Sequence, residues 1–578
     1  MKKVLLIICF IFTILLVGCN NTNNYIKKIN VPTEVTENFY LPAVVSNDGK
    51  HDIYWKSSNP DVIKISNSNI VEINGLNNYS VSVKRLLEDV KVTLTMTLEI
   101  VGQDPIEKTY EVVVLKMNIE NQETVKFTFF ALNDFHGSVI NDNGGMSVIG
   151  NYIISEKNKY PDTTVVLSSG DMFQGSAISN MTQGGVVVEC MNEIGFDAMA
   201  VGNHEFDWGI DVIKNYNNKT TDVKAEFPII CCNIYGKATN KPVDWCEPYT
   251  IVEKAGFKIG IIGAIGSSLE SSIATNMVAP YEFVDALPLV REYTKKLRTE
   301  LGCEIVILSI HDNTDGLNQT IADYTGDYQV DAVFNGHTHS TYAAETMGSD
   351  GMMMPYIQSG SSGSSIGKIT ITYNRITKRI EECSSENIKV NKSLSSENAK
   401  INEIINKHNE KISVISDEII GVAGKGIDRV DGAMWAANVI QKYSGCEIGF
   451  INGGGIRNAA FPIQMNQNIT VGLMWEMMPF DNFVKTCTMT TSQIIDIYQG
   501  IDILHSDNIE VINGELYYNG RKCASDETFT VAAVDYIFDK PEYPFLESQD
   551  QQTTGVLFRD YLIQAIKDAC KDGNKWVC

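Results

Sequence analysis

The chain has 578 residues, 44% hydrophobic and 20% charged, enough for roughly three to five domains with real cores at about 100–200 residues each. Its 47 Lys and Arg stand against 71 Asp and Glu, a formal charge of −24. So acidic a chain argues against duplex nucleic-acid binders, whose affinity rests on cations neutralising phosphates. Thirteen cysteines with no Cys-x-x-Cys pair argue against a thiolate zinc site and against a disulfide framework. Most are expected to pack as small hydrophobes, with a Cys570–Cys578 bridge left open.

The first elements follow in chain order. Lys2 and Lys3 precede an almost unbroken apolar run from Val4 to Val17. At about 14 residues it is short of the ~20 a spanning helix needs, and it fits the apolar region of a secretory signal. Leu16-Val17-Gly18-Cys19 resembles a bacterial lipobox. This implies that residues 1–19 are a lipoprotein signal peptide and that Cys19 carries the lipid, leaving the body extracytoplasmic and held to the bacterial cell membrane by its lipid anchor only. A short uncleaved anchor is the alternative. Residues 20–30 are polar and read as a flexible tether.

From 31 to 120 short alternating stretches (Ile53-Tyr54-Trp55, Val62 to Ile65, Val90 to Ile100, Tyr110 to Leu115), with a turn at Ser58-Asn59-Pro60-Asp61, predict a β-sandwich with Trp55 in its core. The segment Tyr54 to Ile63 resembles bacterial immunoglobulin-like surface domains, which implies a spacer or a site for a surface partner. From 124 to 390 apolar runs of five to eight residues, among them 125–132, 164–167, 198–201, 259–265, 305–310 and 330–334, alternate with loops and amphipathic segments. Buried strands between helices predict an α/β layered sandwich. Ile401, Ile404, Ile405 and Ile412 fall on one face of a linker helix over 396–412, leading into an α+β domain over 413–578. The fold class is therefore multidomain: β-sandwich, α/β layered domain, α+β domain.

Chemistry concentrates at the ends of the middle domain's strands. Five of the eight histidines lie between 136 and 339. Asn133-Asp134-Phe135-His136-Gly137, Gly170-Asp171, Gly202-Asn203-His204-Glu205-Phe206-Asp207, His311 and Gly336-His337-Thr338-His339 each follow an apolar run. Loops at the carboxyl ends of neighbouring strands converge in α/β sheets. Imidazole and carboxylate without thiolate suit divalent Zn, Mn or Fe. Asp134, His136, Asp171, Asn203, His311, His337 and His339 are too many for one tetrahedral ion, and a pair of ions bridged by Asp171 uses them all. Such a pair, about 3.5–4 Å apart, clamps a phosphate and activates the attacking water.

These motifs, together with Gly170-Asp171-Met172-Phe173-Gln174-Gly175-Ser176, resemble the calcineurin-like metallophosphoesterases, and within them the bacterial 5′-nucleotidase and UDP-sugar hydrolase family. The likeness covers about 124–578. It implies one metal site from Asp134, His136, Asp171 and His339, a second from Asp171, Asn203, His311 and His337, and a catalytic pair in His204 and Asp207. A cationic His204 would serve the leaving oxygen while Asp207 orients it. Ser309-Ile310-His311-Asp312-Asn313 departs from the family in lacking the glycine two residues after the histidine.

In the last domain Asn452-Gly453-Gly454-Gly455-Ile456-Arg457 fits the family's glycine motif, implying close backbone approach at Asn452 and a phosphate fork at Arg457. Arg429 sits where the family places another phosphate-contacting arginine, and Phe480 and Tyr536 where it places base-stacking aromatics. Met434 to Val439 replaces the family's Leu-Gly-Asn-Leu-x-x-Asp. The segment after Tyr536 runs into Lys540-Pro541-Glu542 rather than Gly-Gly-Asp, so the carboxylate that the family sets on the nucleoside has no clear counterpart. The expected activity is an extracytoplasmic two-metal hydrolysis of nucleotides serving salvage. Alternatives are the same chemistry on a 2′,3′-cyclic nucleotide, a UDP-sugar or another phosphate ester, and a surface-binding protein without catalysis.

Overall fold

A computed structural model describes residues 29–44, 51–73, 76–85, 89–100, 104–115, 123–218 and 223–578. The signal segment, Cys19 and residues 20–28 of the tether lie outside these. Among the described residues no helix is long and apolar enough to cross a membrane. The chain divides into two compact units after Asn121.

The first unit is a two-sheet β-sandwich. One sheet orders Glu34–Val35, Ile106–Val114, Val90–Ile100 and His51–Ser57; the other orders Phe39–Pro42, Leu76–Val83 and Ile63–Ile73. The period of two along a strand puts Val92, Leu94, Met96 and Leu98 inward. Trp55 is in that core, its Nε1–H donating to the Pro42 carbonyl at 2.9 Å.

The second unit begins with two six-stranded sheets. The first orders Ile229–Ile230, Ala198–Ala200, Thr164–Ser168, Thr124–Leu132, Ser365–Asn374 and Arg379–Lys389, with the first four parallel. The second orders Tyr249–Lys254, Phe257–Ile265, Ile305–His311, Ala332–Asn335, Met353–Ser359 and Thr341–Met347, parallel through its middle four. Thr164–Ser168 and Ile305–His311 are buried at every position, which explains unbroken apolar runs in place of alternation. The sheets meet closely: a Cβ on Gly263 would stand 2.3 Å from the Ile230 carbonyl, and Ser309 Oγ donates across to the Ser168 carbonyl at 3.0 Å. Parallel strands of both sheets therefore deliver their carboxyl ends to one edge.

The helix expected over 396–412 runs Ala399–Ser416, capped by the Asn398 side chain on the Lys400 and Ile401 amides. It is not a bare connector. Ile401, Ile405 and Ile412 are buried in the core of the two-sheet domain, and the helix also touches Val471–Met477 of the last domain. That last domain is a five-stranded sheet ordered Ile503–His505, Ile448–Asn452, Thr528–Val534, Phe483–Thr490 and Gln549–Leu557, packed by helices Arg429–Ser444 and Phe558–Ala569. The eleven described cysteines are free thiols, eight of them buried, so Cys570 and Cys578 are not bridged.

Candidate metal centre and substrate cleft

The strand ends turn sharply into the site. Asp134, His136, Asp171, His337 and His339 all hold positive φ, between 47° and 82°, a region that non-glycine residues seldom occupy. Strain of this kind persists where the surroundings over-determine it, typically at functional sites. Two motif glycines have a steric reason. A Cβ on Gly202 would lie 2.3 Å from Asp171 Oδ1, and one on Gly336 would lie 2.6 Å from His311 Nδ1. Glycine is what lets these loops close on one another.

Two ligand clusters result: Asp134 with His136 and His339, and Asp171 with His311 and His337, each with its donor atoms within 4.8 Å of one another. Asn203 Oδ1 joins the second, 3.2 Å from His311 Nε2 and 3.0 Å from His337 Nδ1. His136 Nδ1 faces the Gln174 carbonyl at 3.0 Å and His311 Nδ1 faces that of Ser169 at 2.7 Å. Each Nδ1–H is thereby committed, and each Nε2 lone pair is left for a metal. His136 Nε2 and His339 Nε2 stand 2.9 Å apart, with Asp134 Oδ1 3.5 Å from the latter. Acceptor atoms crowded together in this way fit divalent cations. Burial, and after it the charge of neighbouring histidines, hold His136 well below the usual histidine range and His337 down at about 4, which keeps both neutral as ligands must be.

Asp171 falls in the second cluster. Its Oδ1 accepts the His204 backbone N–H at 2.8 Å, and its Oδ2 lies 3.1 Å from His311 Nε2. Glu205 was missed by sequence reasoning. Buried, it accepts backbone N–H bonds from Asp171 (2.9 Å), Met172 (2.9 Å) and Gly202 (2.7 Å), stitching two ligand loops together. Its position within Gly-Asn-His-Glu-Phe-Asp was the only signal.

His204 Nδ1 lies 2.8 Å from Asp207 Oδ2, leaving Nε2 for the cleft. Burial opposes its charged form, yet the Asp207 and Asp171 carboxylates outweigh that and raise its pKa. The cleft, about 240 Å³, is lined by His204, Asp207 and His337 on one side and by Asn452, Arg457, Phe480 and Tyr536 on the other. A larger cavity of about 780 Å³ beside Arg298 and Tyr373 holds none of the candidate residues.

The Phe480 ring stacks on that of His204, centroids 5.9 Å apart and planes 28° off parallel, and the Arg457 guanidinium carbon is 5.5 Å from the Phe480 centroid. Lys540 Nζ sits 4.7 Å from the Tyr536 ring centroid. Arg429 is the residue whose placement departs from expectation. Its Nε and Nη2 donate to the Ile456 and Gly453 carbonyls at 2.8 and 2.6 Å, and it does not line the cleft. Its sequence position at the first turn of a helix packed beside the glycine turn makes it a clamp on that turn. Asp502 was also missed: its Oδ2 accepts the Gly454 N–H at 2.7 Å, and it lines the cleft.

Comparison with known proteins fits this arrangement. Residues 127–341 match the family model for calcineurin-like phosphoesterase, and residues 429–500 match that for the 5′-nucleotidase C-terminal domain. The chain is 26% identical over 394 residues to Endonuclease YhcR of Bacillus subtilis, covering 62% of this chain and 32% of that one. It is 26% identical over 359 residues to the snake venom 5′-nucleotidase of Naja atra, covering 55% and 64%. This chain thus spans about a third of the Bacillus relative's length. The crystal structure of a 5′-nucleotidase precursor from Thermus thermophilus shares the fold, with a TM-score of 0.66 at 17% identity over 77% of this chain and 96% of that one. The ligand clusters thus stand on the strand ends of a calcineurin-like phosphoesterase domain, and the arginine and aromatic wall faces them from a 5′-nucleotidase C-terminal domain.

Proposed function

We propose that this protein is a two-metal phosphohydrolase that releases phosphate from nucleoside monophosphates. The observation that carries the reading is the His204–Asp207 pair, set beside two ligand clusters and facing Arg457 and Phe480 across one cleft. Two divalent ions, Zn, Mn or Fe, held by Asp134, His136 and His339 and by Asp171, Asn203, His311 and His337, would supply Lewis acidity and an activated water. Asp171 is the candidate bridge between them. Arg457 offers its fork to the phosphate oxygens. His204, kept protonated by Asp207, gives its Nε2 proton to the departing oxygen. Phe480 and Tyr536 receive the ring of the leaving group, and Asn452 holds the wall beside them.

A monophosphate is favoured over a UDP-sugar because Arg429 is spent on backbone carbonyls and Asp502 adds negative charge to the same wall. A second phosphate would meet repulsion where it needs a cation. The Lys540 contact on Tyr536 keeps other phosphate esters, including 2′,3′-cyclic nucleotides, as the second reading. In this proposal Cys19 anchors the protein outside the cell membrane, the β-sandwich spaces the enzyme from it, and the released nucleoside feeds salvage. Phosphate release by residues 20–578 loaded with Mn or Zn, with and without chelator, tests the activity on AMP, a 2′,3′-cyclic nucleotide, a UDP-sugar and an aryl phosphate. Chelator-sensitive turnover favouring AMP is expected. Turnover of the aryl phosphate alone overturns the nucleotide assignment, and a metal-loaded protein inert on all four overturns the hydrolase assignment.

A further inference from the structure

We propose that Arg559 is the positioning residue that sets the Phe480 ring against the His204 face of the cleft, and with it the leaving group. Arg559 stands in the first turn of Phe558–Ala569 and is only 2% exposed. Its Nη1 donates to the Met478 carbonyl at 3.0 Å and to the Phe480 carbonyl at 3.2 Å, and its Nη2 pairs with Asp481. The guanidinium lies over Trp475, its carbon 3.4 Å from the ring centroid. One planar cation therefore takes the backbone on both sides of Pro479 and the carboxylate just beyond Phe480. Next to it the Phe558 N–H donates to the Asn482 carbonyl at 2.9 Å.

The same segment reaches the second aromatic. Asn482 Nδ2 donates to Asp535 Oδ1 at 2.8 Å, with both residues buried, and Asp535 opens the turn that carries Tyr536. A phenylalanine ring makes no hydrogen bond of its own, so its aim is fixed by its backbone. Here that backbone is held by a charge buried at the core side of the wall. Arg559 does not line the cleft, so it acts through Phe480 and not on substrate. Lysine cannot replace it, because a point ammonium lacks the planar fork and the stacking face.

The assignment rests on the hydrolase reading above, and its test separates the two. The full chain loaded with Mn, as wild type, Arg559→Lys, Phe480→Ala and the double variant, is assayed on AMP, 1-naphthyl phosphate and methyl phosphate. Arg559→Lys is expected to lower kcat/KM about tenfold on the two ring-bearing esters, mainly through KM, the scale of one lost aromatic stack. Methyl phosphate is expected to change by less than about twofold, having no ring to stack. The double variant is expected to match Phe480→Ala, because both changes remove the same interaction. Asp481→Asn, which leaves the Arg559 bonds to backbone in place, is the second variant should Arg559→Lys lower the melting midpoint, and a smaller change with the same ring dependence is expected from it. Equal losses on all three esters, or additive losses in the double variant, would overturn the role. A wild type inactive on AMP but active on 1-naphthyl phosphate would defeat the nucleotide reading alone, with the naphthyl-to-methyl ratio still deciding Arg559.

Discussion

On the metal side of the cleft the functional groups stand on strand ends, held by left-handed turns and by loops that close only over glycine. On the opposite side Phe480 stands in a loop and Tyr536 in the short helix Asp535–Phe538, aimed by hydrogen bonds from Arg559, which does not line the cleft, and between Asn482 and Asp535, which do. The first wall is preorganised by the sheets themselves, and the same edge of an α/β fold serves whatever chemistry its loops carry. The second hangs on a few hydrogen bonds, so changing one buried donor is expected to re-aim a ring. Chemistry is thereby fixed on one wall and substrate choice left open on the other.

The largest expected effect tests the rigid wall. Asp171→Ala removes a ligand and the acceptor for the His204 amide, and phosphate release is expected to fall by about 10⁴-fold or more, as when a catalytic unit is lost whole. Metal analysis is expected to find fewer than two ions per chain; two tightly held ions would contradict the assignment of Asp171. His204→Ala comes next, with a loss of about 10²–10⁴ in kcat and unchanged metal content. A variant that lost metal as well would make His204 a ligand instead of an acid.

Glu205→Gln is a smaller and sharper probe. It replaces a carboxylate that accepts three backbone N–H bonds with a group that has one acceptor oxygen. Metal affinity by titration is expected to weaken by about 10–100-fold with the ligands untouched. Unchanged affinity would mean that strand geometry alone holds the loops.

A last effect concerns stability and not the reaction, at Glu476 in the helix Val471–Met477. Burial pushes the Glu476 carboxyl up from its ordinary 4.5 to about 7. The folded state keeps this proton where the unfolded chain has lost it. The stability is therefore whole below about pH 4.5 and is lost as pH rises through about 7, by on the order of 3 kcal/mol. Melting midpoints across this window, in chelator, are expected to fall less steeply in Glu476→Gln than in wild type. Parallel curves would show the carboxyl to be hydrated.

Much of the metal site was legible because each ligand comes within a few residues of a strand that announces itself as an apolar run. His136, Asp171 and His337 needed only the rule that parallel strands deliver their carboxyl ends together. Glu205 lay inside a recognised motif, but its role depends on amides of Asp171 and Met172, more than thirty positions away. Arg429 is the instructive case. Its motif position suggested phosphate, whereas the fold brings the Gly453 and Ile456 carbonyls of the glycine turn within reach first.

The sequence by itself determined the layered architecture and gathered the candidate ligands, because apolar periodicity and residue type are local properties, while the His204–Asp207 pair was pointed to by family resemblance. Only the tertiary structure decided which polar groups remain free to meet a substrate. Arg457 is left open, Arg429 is committed to backbone and Arg559 is buried beneath Phe480. Three arginines with the same side chain received three tasks because a buried donor binds the nearest acceptors that packing provides, and those acceptors come from segments distant in the chain.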